Sequence, residues 1–294
     1  IYGNSGPDAP LWDYQMDKHL VKIGIHLPID DFLPDYNIDH TDGDPNHYSK
    51  IIPAEYPEKW TGRVPSHRDL PVEFFSVNFS PEEVKTILKA CKIKKVSMTS
   101  LILLVHAWVL QPVLGNKSHS THNVAMNLRR HIPAEVQKDR KILGTMAHMG
   151  LNHKFAPFEE VTWEMIEQAN DRIQQSAANN KVHHMSKAYY DTQSLVEDNE
   201  AFFTKFVGQP RPDAVKLSNV GLVVAKKDDW EIVDMLFYQD IAVVSSEFML
   251  SVVSTPKGGM NMINTVVSDP PLEIEHFMEQ VKNKMMSMVN GLSK

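Results

Sequence analysis

The hydrophobic period of the chain changes after residue 71, and this change constrains the fold most. Val72–Phe79 alternates apolar and polar residues, with Phe75, Val77 and Phe79 on one face, which is typical of a strand. Ser80–Glu83 (sequence SPEE) then combines an N-cap serine, a proline at the first helical position and a capping-box glutamate. A strand that leads directly into a capped helix indicates a domain that mixes sheet and helices.

The rest of the chain continues this mixture. A second helix is predicted to begin near Ser97–Thr99 and to bury Leu101–Leu110, an apolar run interrupted by His106. Further strands are predicted at His122–Leu128, within Gly144–Phe155, and at Val215–Ala225, Ile241–Val253 and Met260–Val267. Further helices are predicted at Phe158–Lys187, Ser194–Val207 and Pro271–Gly291. The fold class is therefore α/β (α+β), with a mixed sheet and helices.

Residues 1–71 differ from the rest in composition. They are rich in Asp, Pro, His and Tyr and show no sustained periodicity, so that only Leu11–Ile25 is predicted as a short helix. A long irregular segment is uncommon inside a compact domain. We therefore predict two parts: a connector over residues 1–71 that runs across a surface and needs a partner domain, and a folded domain over residues 72–294.

Charge and cysteine content exclude several classes of protein. A net charge of -7 argues against a nucleic-acid partner, because the chain has no excess of Lys and Arg to neutralise phosphates. The single cysteine, Cys91, excludes an internal disulfide, fits a reducing compartment and is predicted to be a small core residue. No apolar run approaches the roughly 20 residues that a membrane span needs. We expect a cytoplasmic protein and leave peripheral contact with lipid membranes open.

The usual motifs of metal, hydrolase and nucleotide sites do not stand out. His183-His184 and the pair His148 and His153 lack a matching set of ligands at helical spacing, so no metal is predicted. The serines at 245, 246 and 251 have no Gly-x-Ser-x-Gly elbow around them. No glycine-rich phosphate loop occurs, and no bound cofactor is predicted.

Several segments, in this order, resemble the fungal alcohol acetyltransferase family. They are FFSVNFSPEEVKTILKACKIKKVSMTSLILLVHAW (Phe74–Trp108), VAMNLRRHIP (Val124–Pro133), LSNVGLV (Leu217–Val223) and FMLSVVSTPKGGMNMINTVV (Phe248–Val267). The resemblance covers residues 72–294, which correspond to the second half of the sequences in that family. It implies a chloramphenicol-acetyltransferase-like two-layer sandwich of two similar subdomains. Acetyl-CoA, as co-substrate, and a hydrophobic alcohol would enter a tunnel between them from opposite faces, and residues 1–71 would be a remnant of the first half with a crossover linker.

The family's catalytic histidine belongs to a His-x-x-x-Asp-Gly motif in its first half. Ile1-Tyr2-Gly3 resembles the end of that motif, with Tyr2 in place of Asp and Gly3 as the glycine, so the histidine is expected upstream of Ile1. Tyr2 would remove the carboxylate that holds the motif loop. Two internal pairs, His26 with Asp30 and His40 with Asp44, match the His-x-x-x-Asp part of the motif, but chance yields about one such pair in this composition. Of the two internal candidates for the base, His40 is preferred to His26, and a histidine upstream of Ile1 is preferred to both.

The most distinctive matching segment is Ser218-Asn219-Val220-Gly221. The resemblance implies that Ser218, Asn219 and Gly221 lie on a strand beside the tunnel. Asn219 could offer an amide donor, and Gly221 would let a ligand approach the backbone. The alternative is a strand with a glycine bulge and no ligand.

Asn127 and Arg129 end another strand, and the resemblance places them at the tunnel too. Arg129 or the neighbouring Arg130 would pair with a carboxylate across the domain boundary or contact CoA phosphates. The alternative is a solvated arginine at the rim of the protein.

Three functional hypotheses follow. The leading one is an O-acyltransferase that moves acetyl from acetyl-CoA to a hydrophobic alcohol, with histidine as the general base. The second is a degenerate member that binds a small apolar molecule or guides a non-acyl reaction in a natural-product pathway, as Tyr2 suggests. The third is a subunit that completes its fold with an N-terminal chain or as a homo-oligomer.

Overall fold

A computed structural model describes residues 27–28, 59–60, 62–114, 119–127, 142–143, 146–154, 160–178, 198–224, 226–227, 229–274 and 276–292. The predicted helix Leu11–Ile25 and the candidate residues Tyr2, Gly3, His26, His40, Arg129 and Arg130 lie outside these ranges. The chain divides into two compact units, Ile1–Asp35 with Asn127–Met146, and Tyr36–Met126 with Ala147–Lys294.

The described elements follow the mixture that the sequence predicts. The strands are β1 (Leu27–Pro28), β2 (Lys59–Trp60), β3 (Val72–Phe79), β4 (His119–Asn127), β5 (Ile142–Leu143), β6 (Met146–Lys154), β7 (Val215–Leu222), β8 (Lys226–Lys227), β9 (Trp230–Glu231), β10 (Phe248–Thr255) and β11 (Gly259–Val267). The helices are α1 (Pro81–Lys94), α2 (Met98–Val109), α3 (Gln111–Leu114), α4 (Trp163–Ala178), α5 (Asn199–Thr204) and α6 (Phe277–Gly291).

One mixed sheet of seven strands organises the larger unit. Its order is β2-β4-β7-β10-β11-β3, and β6 also pairs with β4. The neighbours from β2 to β10 run parallel, whereas β10, β11 and β3 alternate in direction. In the smaller unit β1 and β5 form a two-residue parallel pair. The β8–β9 hairpin forms a separate two-stranded sheet.

The chain joins the large sheet earlier than the predicted boundary at residue 72. Trp60 of β2 is buried, and its ring centroid lies 6.0 Å from that of Phe248 on β10. Pro65 and Leu70 are buried as well. Residues 59–60 and 62–70 therefore contribute packing to the same unit as β3.

Helices cover one face of the sheet. The alternation of β3 orients Phe75, Val77 and Phe79 towards the helices, and the ring of Phe75 meets Phe277 of α6 edge-on at 5.7 Å. The predicted burial of α2 is confirmed, because Leu101–Val105 and the residues around them are excluded from solvent. An apolar helix buried on all sides thus forms the centre of the core.

The predicted capping box at the start of α1 is present. The Glu83 N–H donates to Ser80 Oγ (3.2 Å), and the Ser80 N–H donates to Glu83 Oε2 (2.7 Å). Lys282 of α6 also donates to Glu83 Oε2 at 2.8 Å. Burial opposes the charged carboxylate, but the bonds from Lys282 and Ser80 outweigh it and lower the pKa of Glu83.

The strand predicted at Ile241–Val253 begins only at Phe248, because the residues before it wrap around a buried arginine. Arg211 donates to the carbonyls of Val243, Ser245 (3.1 Å) and Ser246 (3.4 Å). The Ser245 N–H donates to the Ala242 carbonyl at 2.8 Å, so the backbone turns here and does not continue as a strand. The last helix likewise begins at Phe277, after Pro270 and Pro271, and not at Pro271 as predicted.

Residues 232–240, here called the crossing segment, lie against the other face of the sheet. Thr255 Oγ1 donates to the Val233 carbonyl (2.7 Å), and Thr265 Oγ1 donates to the Gln239 carbonyl (2.9 Å). Asn261 Nδ2 donates to the Met235 carbonyl (2.8 Å). Because helices cover one face and this segment the other, every residue of β10 and β11 is buried.

In the part of the chain that the structure describes, no helix is long and apolar enough to cross a bilayer.

Candidate functional site

The Ser218–Gly221 segment lies in the second half of β7, where the sheet becomes irregular. β7 pairs with β4 only over Val215–Leu217, opposite His122–Val124. On its other side β7 pairs with β10 along its length, but the register shifts between Val252 and Val253. Asn219 pairs with Val252 and Gly221 with Val253, so Val220 is an extra residue without a register partner on β10.

Gly221 is required by the backbone conformation of this bulge. Its φ is +80°, a left-handed value that a side chain makes costly. An added Cβ would meet no atom of the described structure within 4 Å, so the space beside Gly221 is open. The bulge that the sequence allowed is confirmed, and the role of Gly221 in lining a ligand stays a prediction.

The Asn219 side chain links the bulge to the helical layer. Its Oδ1 accepts the Gly221 N–H at 2.9 Å, and its Nδ2 donates to Thr99 Oγ1 on α2 at 3.2 Å. An amide nitrogen carries two hydrogens, and within the described residues the bond to Thr99 uses one of them. The sequence missed Thr99, which lies 120 residues away along the chain.

Ser218 and Lys216 point to the face opposite the one that Asn219 uses, because side chains alternate along a strand. Ser218 is buried and pairs in register with Ser251, whose hydroxyl has no hydrogen-bond partner among the described residues. Lys216 Nζ donates to Ser245 Oγ at 2.7 Å. Burial lowers the pKa of Lys216, and the charge of Asp213 counteracts part of this shift.

Asn127, the other predicted residue that the structure describes, is exposed and ends β4. The β4–β7 ladder stops three residues earlier, at Val124. The described contacts therefore join Asn219, Gly221 and Thr99, while Ser218 lies on the opposite face of β7.

The buried histidine of α2 is unsuited to acid–base chemistry near neutral pH. His106 is fully buried, and burial lowers its pKa to about 3. Its Nε2 accepts a hydrogen bond from Asn264 Nδ2 at 3.1 Å. The interruption of the apolar run Leu101–Leu110 by a histidine was the only sequence signal for this buried polar pair.

Cys91 is buried in α1, as predicted for a core residue. Burial raises the pKa of its thiol to about 11, so the thiolate, which is the nucleophilic form, is scarce at neutral pH.

A small groove with a cavity volume of about 60 Å³ lies between α1 and α6. It is lined by Thr86, Lys89, Ala90, Ile93, Val289 and Leu292. Its walls carry no pair of acid and base groups, so we assign no chemistry to it. No cluster of potential metal ligands occurs within the described ranges.

Comparison with solved structures supports the predicted fold. The TRI3 trichothecene 15-O-acetyltransferase from Fusarium sporotrichioides superposes with a TM-score of 0.61 at 12% identity, over 88% of this chain and 55% of that one. Polyketide synthase associated protein 5 from Mycobacterium tuberculosis gives 0.53 at 12%, over 94% and 62%. The epimerization domain of the third module of tyrocidine synthetase B gives 0.54 at 12%, over 89% and 62%. The predicted α/β fold of the acyltransferase type is confirmed, and the chain spans less than two thirds of each of these neighbours.

No curated protein sequence matches this chain closely enough to count as a relative. A family model does match, by the description "Alcohol acetyltransferase", over residues 56–291. This range contains all seven strands of the large sheet, the β7 bulge and the whole of α6. The chain therefore belongs to the alcohol acetyltransferase family.

Proposed function

We propose that this chain binds acetyl-CoA and a hydrophobic alcohol as part of an O-acetyltransferase. The observation that carries the proposal is the family match over residues 56–291. The open space beside Gly221 and the irregular end of β7 support a ligand at the Ser218–Gly221 segment. The name of the Fusarium neighbour, a 15-O-acetyltransferase, supports acetyl transfer to a hydroxyl oxygen.

The reaction requires one base and donors for an oxyanion. The base takes the hydroxyl proton as the alcohol oxygen attacks the thioester carbonyl carbon. Hydrogen-bond donors stabilise the negative oxygen of the tetrahedral intermediate. The carbon–sulfur bond then breaks with its electron pair on sulfur, and the thiolate takes the proton from the base. The products are the acetate ester and free CoA.

The base in this proposal is a histidine of the family's His-x-x-x-Asp-Gly motif, expected ahead of Ile1. Within the chain His40 is the first residue to substitute, followed by His26. The described His106 is set aside, because its low pKa and full burial suit a core residue. Arg129 is proposed to contact CoA phosphates or a carboxylate from the first half of the fold.

Exposed apolar side chains on this unit support the proposal that a second domain packs against it. Phe74 of β3 is 56% exposed and meets the ring of Tyr238, which is 60% exposed, at 5.5 Å. Leu236 and Trp230 are 66% and 79% exposed. Exposed aromatic side chains that contact each other, as Phe74 and Tyr238 do, are typical of a surface that another protein covers. We assign this surface to the first half of the acyltransferase fold, with residues 72–294 as the second half and residues 1–71 as remnant and linker.

The proposed location is the cytoplasm. The one cysteine is buried and unpaired, which fits a reducing compartment.

The deciding experiment combines acetyl-CoA binding by calorimetry with release of free thiol in the presence of a medium-chain alcohol. Binding with thiol release would support the proposal, and the His40→Ala variant would then show whether the base lies within the chain. Binding without thiol release in the chain alone, restored by an added first-half polypeptide, would support a base supplied from there. Binding that no added polypeptide converts into turnover would favour the degenerate member suggested by Tyr2. Absence of binding both alone and with that polypeptide would overturn the proposal.

A further inference from the structure

The bulge in β7 competes with a regular strand register. In the observed register Val253 of β10 faces Gly221, and Ser254 faces Leu222. Without the bulge Val220 would face Val253, and each later residue of β7 would move by one position. A shift of one residue turns every following side chain to the opposite face of a sheet. The bulge therefore decides which side chains the end of β7 presents to each side.

In the observed register the Val223 N–H donates to the Ser254 carbonyl at 2.8 Å, but a strand without the bulge could form an equivalent backbone bond. Among the described contacts, those of Asn219 therefore favour the bulged register most clearly. The bond from the Gly221 N–H to Asn219 Oδ1 joins residues two apart and depends on the left-handed φ of Gly221. The side chains of Val220 and Leu222 are 50% and 63% exposed, so their burial contributes little to the choice. Because Val220 and Leu222 are largely exposed, burial does not distinguish the two registers of β7. Hydrogen bonds must therefore favour the bulged register.

Asn219 is itself held from the helical layer. Thr99 Oγ1, which receives its amide hydrogen, lies in the first turn of α2. That turn is fixed by Asn170 of α4, whose Oδ1 accepts the Ser97 N–H at 2.9 Å. The N-cap hydroxyl of Ser97 in turn accepts the Ser100 N–H at 3.1 Å. Hydrogen bonds therefore hold the start of α2 against α4 at Ser97, and the backbone of the same turn places the Thr99 hydroxyl at the bulge.

We propose that Asn219 is a positioning residue, which locks the bulged register of β7 through its bonds to Gly221 and Thr99. It acts on a ligand through the backbone shape at Val220 and Gly221. The connection to acetyl-CoA rests on the proposed function, whereas the register lock stands on the geometry alone.

The test measures amide hydrogen exchange at Gly221 by NMR in the full chain. The Phe248 N–H, which donates to the Ala214 carbonyl at 3.1 Å at the other end of the β7–β10 pair, reports global opening. Asn219→Leu keeps the approximate side-chain size and removes both bonds. We expect exchange at Gly221 to rise about tenfold relative to Phe248. Thr99→Val is expected to raise it by about threefold, because it removes one bond of the two.

Conservative variants separate a positioning role from simple packing. Asn219→Asp keeps an acceptor for the Gly221 N–H and can accept the Thr99 hydroxyl, so protection should return to near the original value. Thr99→Ser keeps the hydroxyl and should behave likewise. Thr86→Val is the matched control, since it removes a hydroxyl that donates to the Glu82 carbonyl in α1, and exchange at Gly221 should not change.

Acetyl-CoA affinity is measured on the same proteins. We expect Asn219→Leu to weaken binding about fivefold to tenfold and Asn219→Asp to restore most of it. Equal protection of Gly221 in the original chain and in Asn219→Leu would overturn the register lock. Equal behaviour of the Leu and Asp variants would overturn it as well. If the original chain does not bind acetyl-CoA, the proposed function fails, and exchange at Gly221 still decides the role of Asn219.

Discussion

Asn264 of β11 donates a hydrogen bond from Nδ2 to Nε2 of His106 in the centre of the core, at 3.1 Å. Both residues are fully buried, and the Phe277 ring lies 5.5 Å from the imidazole. Nδ1 of His106 and Oδ1 of Asn264 have no hydrogen-bond partner among the described residues. The histidine is therefore held in its neutral form by an apolar shell.

This burial predicts a loss of stability in mild acid. The pKa of His106 is lowered from 6.5 to about 3 by burial, so the unfolded chain takes up this proton first as the pH falls. The contribution of neutral His106 to the free energy of unfolding is complete above about pH 6.5 and is lost progressively down to about pH 3. We expect the free energy of unfolding to fall by about 2 kcal/mol between pH 7 and pH 5 from this group. Urea unfolding of the original chain and of His106→Gln measures it, and equal pH slopes would contradict the prediction.

The same pair should respond differently to single and double substitution. Asn264→Leu leaves the imidazole without its described hydrogen-bond partner. This should lower the free energy of unfolding by about 1–3 kcal/mol. Replacing His106 as well, in the double variant His106→Leu with Asn264→Leu, removes the stranded polar group. We expect the double variant to be destabilised by less than the sum of the two single variants. Additive losses in urea unfolding would show that the hydrogen bond is not the coupling between them.

The buried guanidinium of Arg211 should matter far more than an exposed one. Arg211 donates to backbone carbonyls before β10 and, through Nη2, to the Val267 carbonyl at 2.8 Å. Arg211→Met leaves these carbonyls without a hydrogen-bond donor and leaves the buried Glu247 with less positive charge nearby. We expect the free energy of unfolding to fall by about 3–5 kcal/mol. Arg68→Met breaks an ion pair with Glu200 in which both partners are exposed, and should cost less than about 1 kcal/mol. Thermal unfolding of both variants checks the difference, and similar losses would contradict it.

Gly221 can be compared with a glycine of nearly the same conformation elsewhere. Gly208 has φ +81° and, like Gly221 with +80°, has no described atom within 4 Å of an added Cβ. Each substitution by alanine should therefore cost about 1–2 kcal/mol of backbone strain. Only Gly221→Ala is expected also to weaken acetyl-CoA binding, because only Gly221 lies in the candidate site. Equal affinities of the two variants for acetyl-CoA in calorimetry would argue against that placement.

Local signals account for what the sequence predicted well. The strand over Val72–Phe79 and the cap at Ser80 depend on residues within a few positions of one another, and both are present. The start of β10 depends on Arg211, more than 30 residues earlier, and the sequence placed it seven residues too soon. The glycine in Ser218–Gly221 is a local signal too, and it indicates the bulge as one of two alternatives. The partner of Asn219 was not predicted, because Thr99 approaches it only when α2 packs on the sheet.

The hydrogen bonds that attach the crossing segment to the sheet do not involve its outward-facing apolar side chains. The hydroxyls of Thr255 and Thr265 and the amide of Asn261 reach backbone oxygens of the segment, which every amino acid possesses. Asn261 also donates to Asp234 Oδ1 at 2.9 Å. Leu236 and Tyr238 point outwards and take no part in these bonds. Mutations can therefore change the outward-facing side chains while the hydrogen bonds between the sheet and the backbone of the segment are kept. Natural variation in what this surface recognises is expected to accumulate there, at little expense to stability.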